Sequence, residues 1–183
     1  MNSQNNSQSK GLTIVFMHFG RPSTVHPGLS QDGRDQVTST VDQVKEKTPI
    51  NKIFTSVVTS AYQSAELAAQ RLGNSEMLAP EVRSELTEDV SRFDIGLRAP
   101  KIKKLLTDRY AMPGQMNNVL FVSHEATIAG ALINLTGKPL SPEEAELKFG
   151  AAAILHFDTD RWSEIGPDTF DTMELVSPEL VMA

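Results

Sequence analysis

The feature that most limits how this chain folds is the alternation of short, almost wholly apolar runs with segments of helical period. Leu12-Thr-Ile-Val-Phe-Met17 lies between a polar stretch and Gly20. Its apolar, β-branched composition reads as a buried strand. Ser30 is placed to cap a helix over Gln31 to Lys47, which Pro49 stops. Lys52 to Val58 is a second strand. Ala61 to Leu72 carries an apolar face of Ala65, Leu67, Ala68, Ala69 and Leu72, closed by Gly73. Val119 to Val122 is the clearest strand, and a helix over Thr127 to Leu135 follows it, ended by Gly137 and Pro139. Ala151 to Phe157 is a further strand, with Arg161 to Ile165 expected as its hairpin partner.

Other stretches carry weaker patterns. Met77 to Ala79 is expected as a short strand, and Glu81 to Gly96 as loop or irregular structure. Pro100 to Tyr110 reads as a basic helix, and Pro142 to Glu146 as the start of a short one. The tail beyond Gly166 is only faintly patterned. Strands alternating with helices imply an α/β fold, a three-layer α/β/α sandwich around a mostly parallel sheet. Residues 11–183 are expected to form one domain behind an Asn/Gln/Ser-rich disordered leader, residues 1–10.

In such sheets the ligand site lies beyond the carboxyl ends of the strands. That singles out the loops after Met17, Thr55 and Val122. Two of the four histidines, His18 and His124, stand at two of those ends. An imidazole with one nitrogen oriented by a hydrogen bond can attack phosphorus through the other, and a second can hold a phosphoryl oxygen.

Composition narrows the alternatives. The net charge of −6 opposes a broad nucleic-acid or anionic-membrane surface. With no cysteine, thiol nucleophiles, disulfides and Cys-based metal sites are excluded. The leader lacks the apolar core of a secretory signal, so a cytoplasmic location is expected.

The chain resembles the histidine phosphatase superfamily, with its phosphoglycerate-mutase-like fold, and most of all the short bacterial phosphohistidine phosphatase branch. Ile14-Val-Phe-Met-His18 resembles the first strand and its Arg-His-Gly motif. Leu29-Ser-Gln-Asp-Gly-Arg34 with Gln36 resembles the entry to the first helix. Ile53-Phe-Thr-Ser56 with Ala61, Gln63, Ala65 and Glu66 resembles the second strand and helix. Val119-Leu-Phe-Val-Ser-His124-Glu-Ala-Thr-Ile128 resembles the second-histidine strand, and Ala151 to Phe157 with Trp162 the late hairpin. The resemblance implies that His18 becomes phosphorylated, that His124 contacts the phosphoryl group, and that no cofactor or metal is used. The implied partner is a small phosphorylated molecule or a phosphohistidine protein.

The departures fall on the phosphate pocket. Met17 stands where the family has arginine before the nucleophile, and Phe19 where it has glycine. Ser60 and Tyr62 stand where the second stretch carries arginines, and Val57 replaces its proline. Arg21, Ser56 and Ser60 are the candidates for phosphate binding in their place. Glu88 and Asp89, in the acidic middle segment, are candidates for a general acid. Glu125 is read as a helix cap, His26 as a surface residue, His156 as a core or edge residue and Trp162 as a packing anchor. Lys101, Lys103, Lys104 and Arg109 form a basic run, a solvated face or a surface for an acidic partner. Two functions stay open: an active phosphatase working through phosphohistidine, or a catalytically impaired relative that binds a ligand or partner in the same cleft.

Overall fold

A computed structural model describes residues 11–73, 78–86, 95–114 and 116–179. The first strand, β1 (Leu12–His18), leads through a loop to α1 (Gln31–Lys47), then β2 (Lys52–Thr55) and α2 (Thr59–Leu72). A two-residue strand, β3 (Glu81–Val82), precedes α3 (Ile95–Arg109). After β4 (Asn118–Ser123) come α4 (Glu125–Thr136), the single-turn α5 (Pro142–Ala145), β5 (Ala152–Phe157) and β6 (Phe170–Val176). The strands form one sheet in the order β3-β2-β4-β1-β5-β6. Pairings from β3 to β1 are parallel, whereas β5 and β6 run antiparallel.

Both faces of the sheet are covered, which explains why β1 and β4 read as continuous apolar runs. On one face Phe16, Phe54 and Phe121 meet Ile102 and Leu106 of α3 and Ile128 and Leu132 of α4. Phe121 stacks on both Phe16, at 5.5 Å between ring centres, and Phe54, at 5.1 Å. The other face packs Val15, Met17, Ile53, Leu120 and Val122 against Val37, Val41 and Val44 of α1 and the alanines of α2. The caps follow the sequence signals: Ser30 accepts from the Gly33 N–H, and Gly73 and Gly137 close their helices with φ of 88° and 67°.

Four expectations are corrected. The partner of β5 is β6, while Trp162–Glu164 forms a 3₁₀ turn. β6 is an edge strand exposing Asp171, Thr172 and Glu174, and a register shift at His156/Phe157 breaks its alternation; charges on an edge suppress further pairing. Leu78 and Ala79 form no strand; β3 lies two residues later, inside the expected loop (Met77 is outside the described residues). β2 ends at Thr55 because Ser56 to Val58 turn into α2. α3 begins at Ile95, with Pro100 inside it. The expected leader lies outside the described residues.

So short a strand as β3 needs an anchor beyond its ladder bonds. Glu81 supplies one, taking Lys52 of β2 at 3.3 Å together with Arg83 and Arg109. Partial burial pushes its carboxyl up, but the hydrogen bonds from Arg109 and Lys52 and the charge of Arg83 outweigh that and hold it below the ordinary carboxylate range. A depressed carboxyl stabilises the fold above its unfolded-state value and loses that contribution as pH falls through the folded-state value. Glu81→Gln should therefore cost about 1 kcal/mol in urea unfolding at pH 7. The deficit should narrow as pH drops below about 4.3; a deficit that does not change with pH would reject the network as its source.

Candidate active site

β1, β2 and β4 are parallel neighbours, so their carboxyl ends lie at one edge of the sheet. His18 ends β1 in register with Ser123. It is buried, and its backbone is held on both sides: its N–H donates to the Ala151 carbonyl at 2.9 Å and its carbonyl accepts from Gly150 at 3.0 Å. The ring Nδ1 lies 2.6 Å from the Leu147 carbonyl oxygen. A carbonyl only accepts, so Nδ1 carries the proton and, in the neutral ring, Nε2 carries the lone pair. Gly150 makes this loop possible. It has φ of 77°, and a Cβ there would lie 2.6 Å from Cβ of Gln36.

His124 occupies the cap position before α4, half-buried at the end of β4. Its Nε2 lies 3.4 Å from Oγ of Ser56, a fully buried residue just past β2. Phe19 touches both histidines edge-on, with ring centres 4.9 Å from His18 and 5.1 Å from His124. Phe149 lies 4.7 Å from the His18 ring. The histidines thus meet an aromatic cluster, which offers a dianion no hydrogen-bond donor.

Arg21 lines the same cleft of about 700 Å³ as His18, along with Gln36, Glu125, Glu146, Lys148 and Phe149. Its backbone is fixed: its N–H donates to Gln36 and its carbonyl accepts from the Ser30 hydroxyl and N–H. Its guanidinium is exposed at the rim, 3.7 Å from Asp32. Gly20 and Gly33 seat this loop against α1; a Cβ on Gly20 would fall 2.2 Å from the Gly33 carbonyl oxygen. Ser64 ties it to α2, accepting from Gly20 N–H at 3.1 Å and donating to the Ser60 carbonyl at 2.7 Å.

The structure therefore brings Arg21 into the His18 cleft and Ser56 to His124. Ser60 is buried in the first turn of α2, where its carbonyl receives Ser64. Glu88 and Asp89 lie outside the described residues. Glu125 is the first residue of α4, one past the cap position that His124 holds, and it also lines the cleft. His26 is exposed beside Ser23, and His156 bonds Thr13 at 3.0 Å. Trp162 is buried and donates to the Met116 carbonyl. Sequence reasoning missed Leu147, Lys148 and Phe149; the signal was the Phe-Gly pair before the last apolar strand. Among the described residues no cluster of three or more His, Asp or Glu is placed to hold a metal, and no helix is long and apolar enough to cross a membrane. The arrangement predicts that nitrogen-detected NMR of the His18 ring near neutral pH finds Nδ1 protonated; a ring protonated on Nε2 alone would contradict the geometry.

No protein-family model matches the sequence, and no curated protein matches it. Solved structures do. The protein histidine phosphatase SixA complexed with tungstate matches with a TM-score of 0.68 at 21% identity, over 91% of this chain and 97% of that one. A mycobacterial glucosyl-3-phosphoglycerate phosphatase complexed with VO3 matches with a TM-score of 0.64 at 17% identity, over 90% and 97%. The putative phosphohistidine phosphatase SixA from Agrobacterium tumefaciens matches with a TM-score of 0.63 at 12% identity, over 91% and 98%. A six-stranded sheet with this strand order, superimposing on those proteins over nine-tenths of its length, gives the chain the phosphoglycerate-mutase-like α/β fold of the histidine phosphatases.

Proposed function

We propose that this chain hydrolyses phosphoryl groups through a phosphohistidine on His18, slowly, and best where the leaving group departs readily, as from a phosphoramidate or acyl phosphate. The observation that carries this reading is the 2.6 Å contact from Nδ1 of His18 to the Leu147 carbonyl. It aims one nitrogen and leaves the lone pair on the other, as a nucleophile needs. In the first step Nε2 forms a bond to phosphorus while the bond from phosphorus to the leaving atom breaks. The imidazole becomes cationic, and the Leu147 carbonyl accepts a stronger, charge-assisted bond from Nδ1–H. In the second step water adds to phosphorus, the phosphorus–nitrogen bond breaks, and inorganic phosphate leaves.

The slow rate follows from charge. Met17 is wholly buried in the apolar layer against α1 and α2, so the position before the nucleophile contributes nothing to the cleft. Losing one preorganised donor typically costs about 10²–10³ in rate. What remains is Arg21 swung off Asp32, the Ser56 hydroxyl, His124 and the positive ends of α2 and α4, which point into the strand-end edge.

A binding-only role is the second reading, favoured by the contact of Phe19 with both imidazoles and by a cleft lining that holds Glu125 and Glu146 as well as Arg21 and Lys148. Acetyl phosphate and para-nitrophenyl phosphate separate the two readings. The native protein should hydrolyse acetyl phosphate faster, and His18→Ala should reduce both to background. Equal negligible rates in the two proteins would leave only the binding role. Arg21→Ala should weaken vanadate inhibition about tenfold, the worth of one hydrogen bond to a charged group; unchanged inhibition would remove Arg21 from the site.

A further inference from the structure

A second cleft, of about 620 Å³, opens between β3 and α3. Arg83, Lys101, Lys104 and Arg109 line it, and Asp108 is the acidic side chain among its lining residues. Asp108 is taken by Lys104 at 2.7 Å. Glu81, beneath, is shared by Lys52, Arg83 and Arg109. Among the described residues, four cations thus share two carboxylates. Nε of Arg83 is buried with no hydrogen-bond partner, and Lys101 has no ion pair among the described residues. In a chain of net charge −6, this grouping of cations among the described residues makes a local positive field suited to an anionic partner.

The cleft has a fixed relation to the candidate site. Val82 pairs with Thr55, and Arg83 N–H donates to the Thr55 carbonyl at 2.8 Å. Ser56, the next residue, reaches His124. Arg83, Ser56, Ser123 and His18 therefore end neighbouring strands in one row. Three strand spacings separate the first from the last, about 14 Å along the sheet edge. A three-carbon or single-sugar phosphoester does not bridge such a span. About four extended residues of polypeptide do, at roughly 3.3–3.6 Å each.

We propose that the β3–α3 cleft is a docking site for an acidic polypeptide segment of a partner protein, one able to present a phosphoryl group to His18 while its Asp or Glu side chains lie on Lys101, Lys104 and the arginines. The span argument rests on the phosphoryl reading of His18; the charge argument does not. Nucleic acid fits less well, because the cationic patch is small and the rest of the chain repels phosphate.

The test is fluorescence anisotropy of a labelled deca-glutamate peptide, with deca-glutamine as the neutral control. The native protein should bind the acidic peptide and not the neutral one, more weakly as salt rises. Lys101→Glu with Lys104→Glu, both on exposed positions, should raise Kd about tenfold. Lys101→Gln with Lys104→Gln should give a smaller rise, guarding against a folding defect in the reversal variant. The proposal is overturned if neither variant moves Kd, if deca-glutamine binds equally, or if a single-stranded oligonucleotide binds more tightly than the peptide. Binding is read without turnover, so a protein inert toward acetyl phosphate would sink the phosphatase reading while this measurement still decides the docking site.

Discussion

The parallel pairing of β1 with β4 is the constraint on which the candidate site depends. It sets His18 level with Ser123 and so places the next residue, His124, beside the first histidine. The same strand pairs on its other edge with antiparallel β5, whose entry loop returns past the end of β1. Leu147 and Gly150 belong to that loop, and they grip the ring and the carbonyl of His18. One buried strand, held on both edges, therefore fixes the position, tautomer and backbone of the proposed nucleophile. The aromatic stack across β1, β4 and β2 lies under this arrangement and resists slippage, since a shift of one residue would turn every phenyl ring to the opposite face.

Strand alternation also explains where positive charge cannot enter. Val15, Met17 and Phe19 face the layer formed by α1 and α2, whereas Ile14 and Phe16 face the other. Met17 is wholly buried in that apolar layer, so the position before His18 supplies no charge to the cleft. The pocket's charge must come from loops instead. Gly20 and Gly33 let the loop after β1 lie directly on α1, and this contact directs Arg21 to the rim. Charge there is solvated and close to Asp32, so it is weaker than charge fixed in the floor.

Much of this was legible in the sequence because each signal was local. The apolar runs fixed β1 and β4, Ser30 and the C-terminal glycines fixed the helix ends, and the two strand-end histidines pointed to the edge where the candidate site is placed. What escaped depends on contacts between distant segments. β6 is an edge strand with three exposed polar residues and an irregular register, so its pattern is diluted. β3 has two residues and owes its place to Glu81 reaching cations on three different segments. Leu147 acts through its backbone carbonyl, which no side-chain pattern can announce.

Charge is the thread that joins the two clefts. Around His18, the described lining holds two cations and two carboxylates and two phenyl rings lie against the imidazole, so little electrostatic energy is available to hold a free phosphate dianion. Around Arg83 the balance among the described residues is reversed, with cations in excess and a buried guanidinium N–H lacking an acceptor. A chain that recognised a small phosphoester would need its strongest positive field at the reacting atom. Among the described residues the larger group of cations lies at the far end of the same strand-end row, where the proposed docking segment would be held away from phosphorus. Binding energy from such a remote contact could still serve the proposed reaction, by bringing a poorly held phosphoryl group to His18 at high effective concentration. A sparse reacting centre beside a cationic rim is therefore a coherent arrangement for a partner larger than a metabolite.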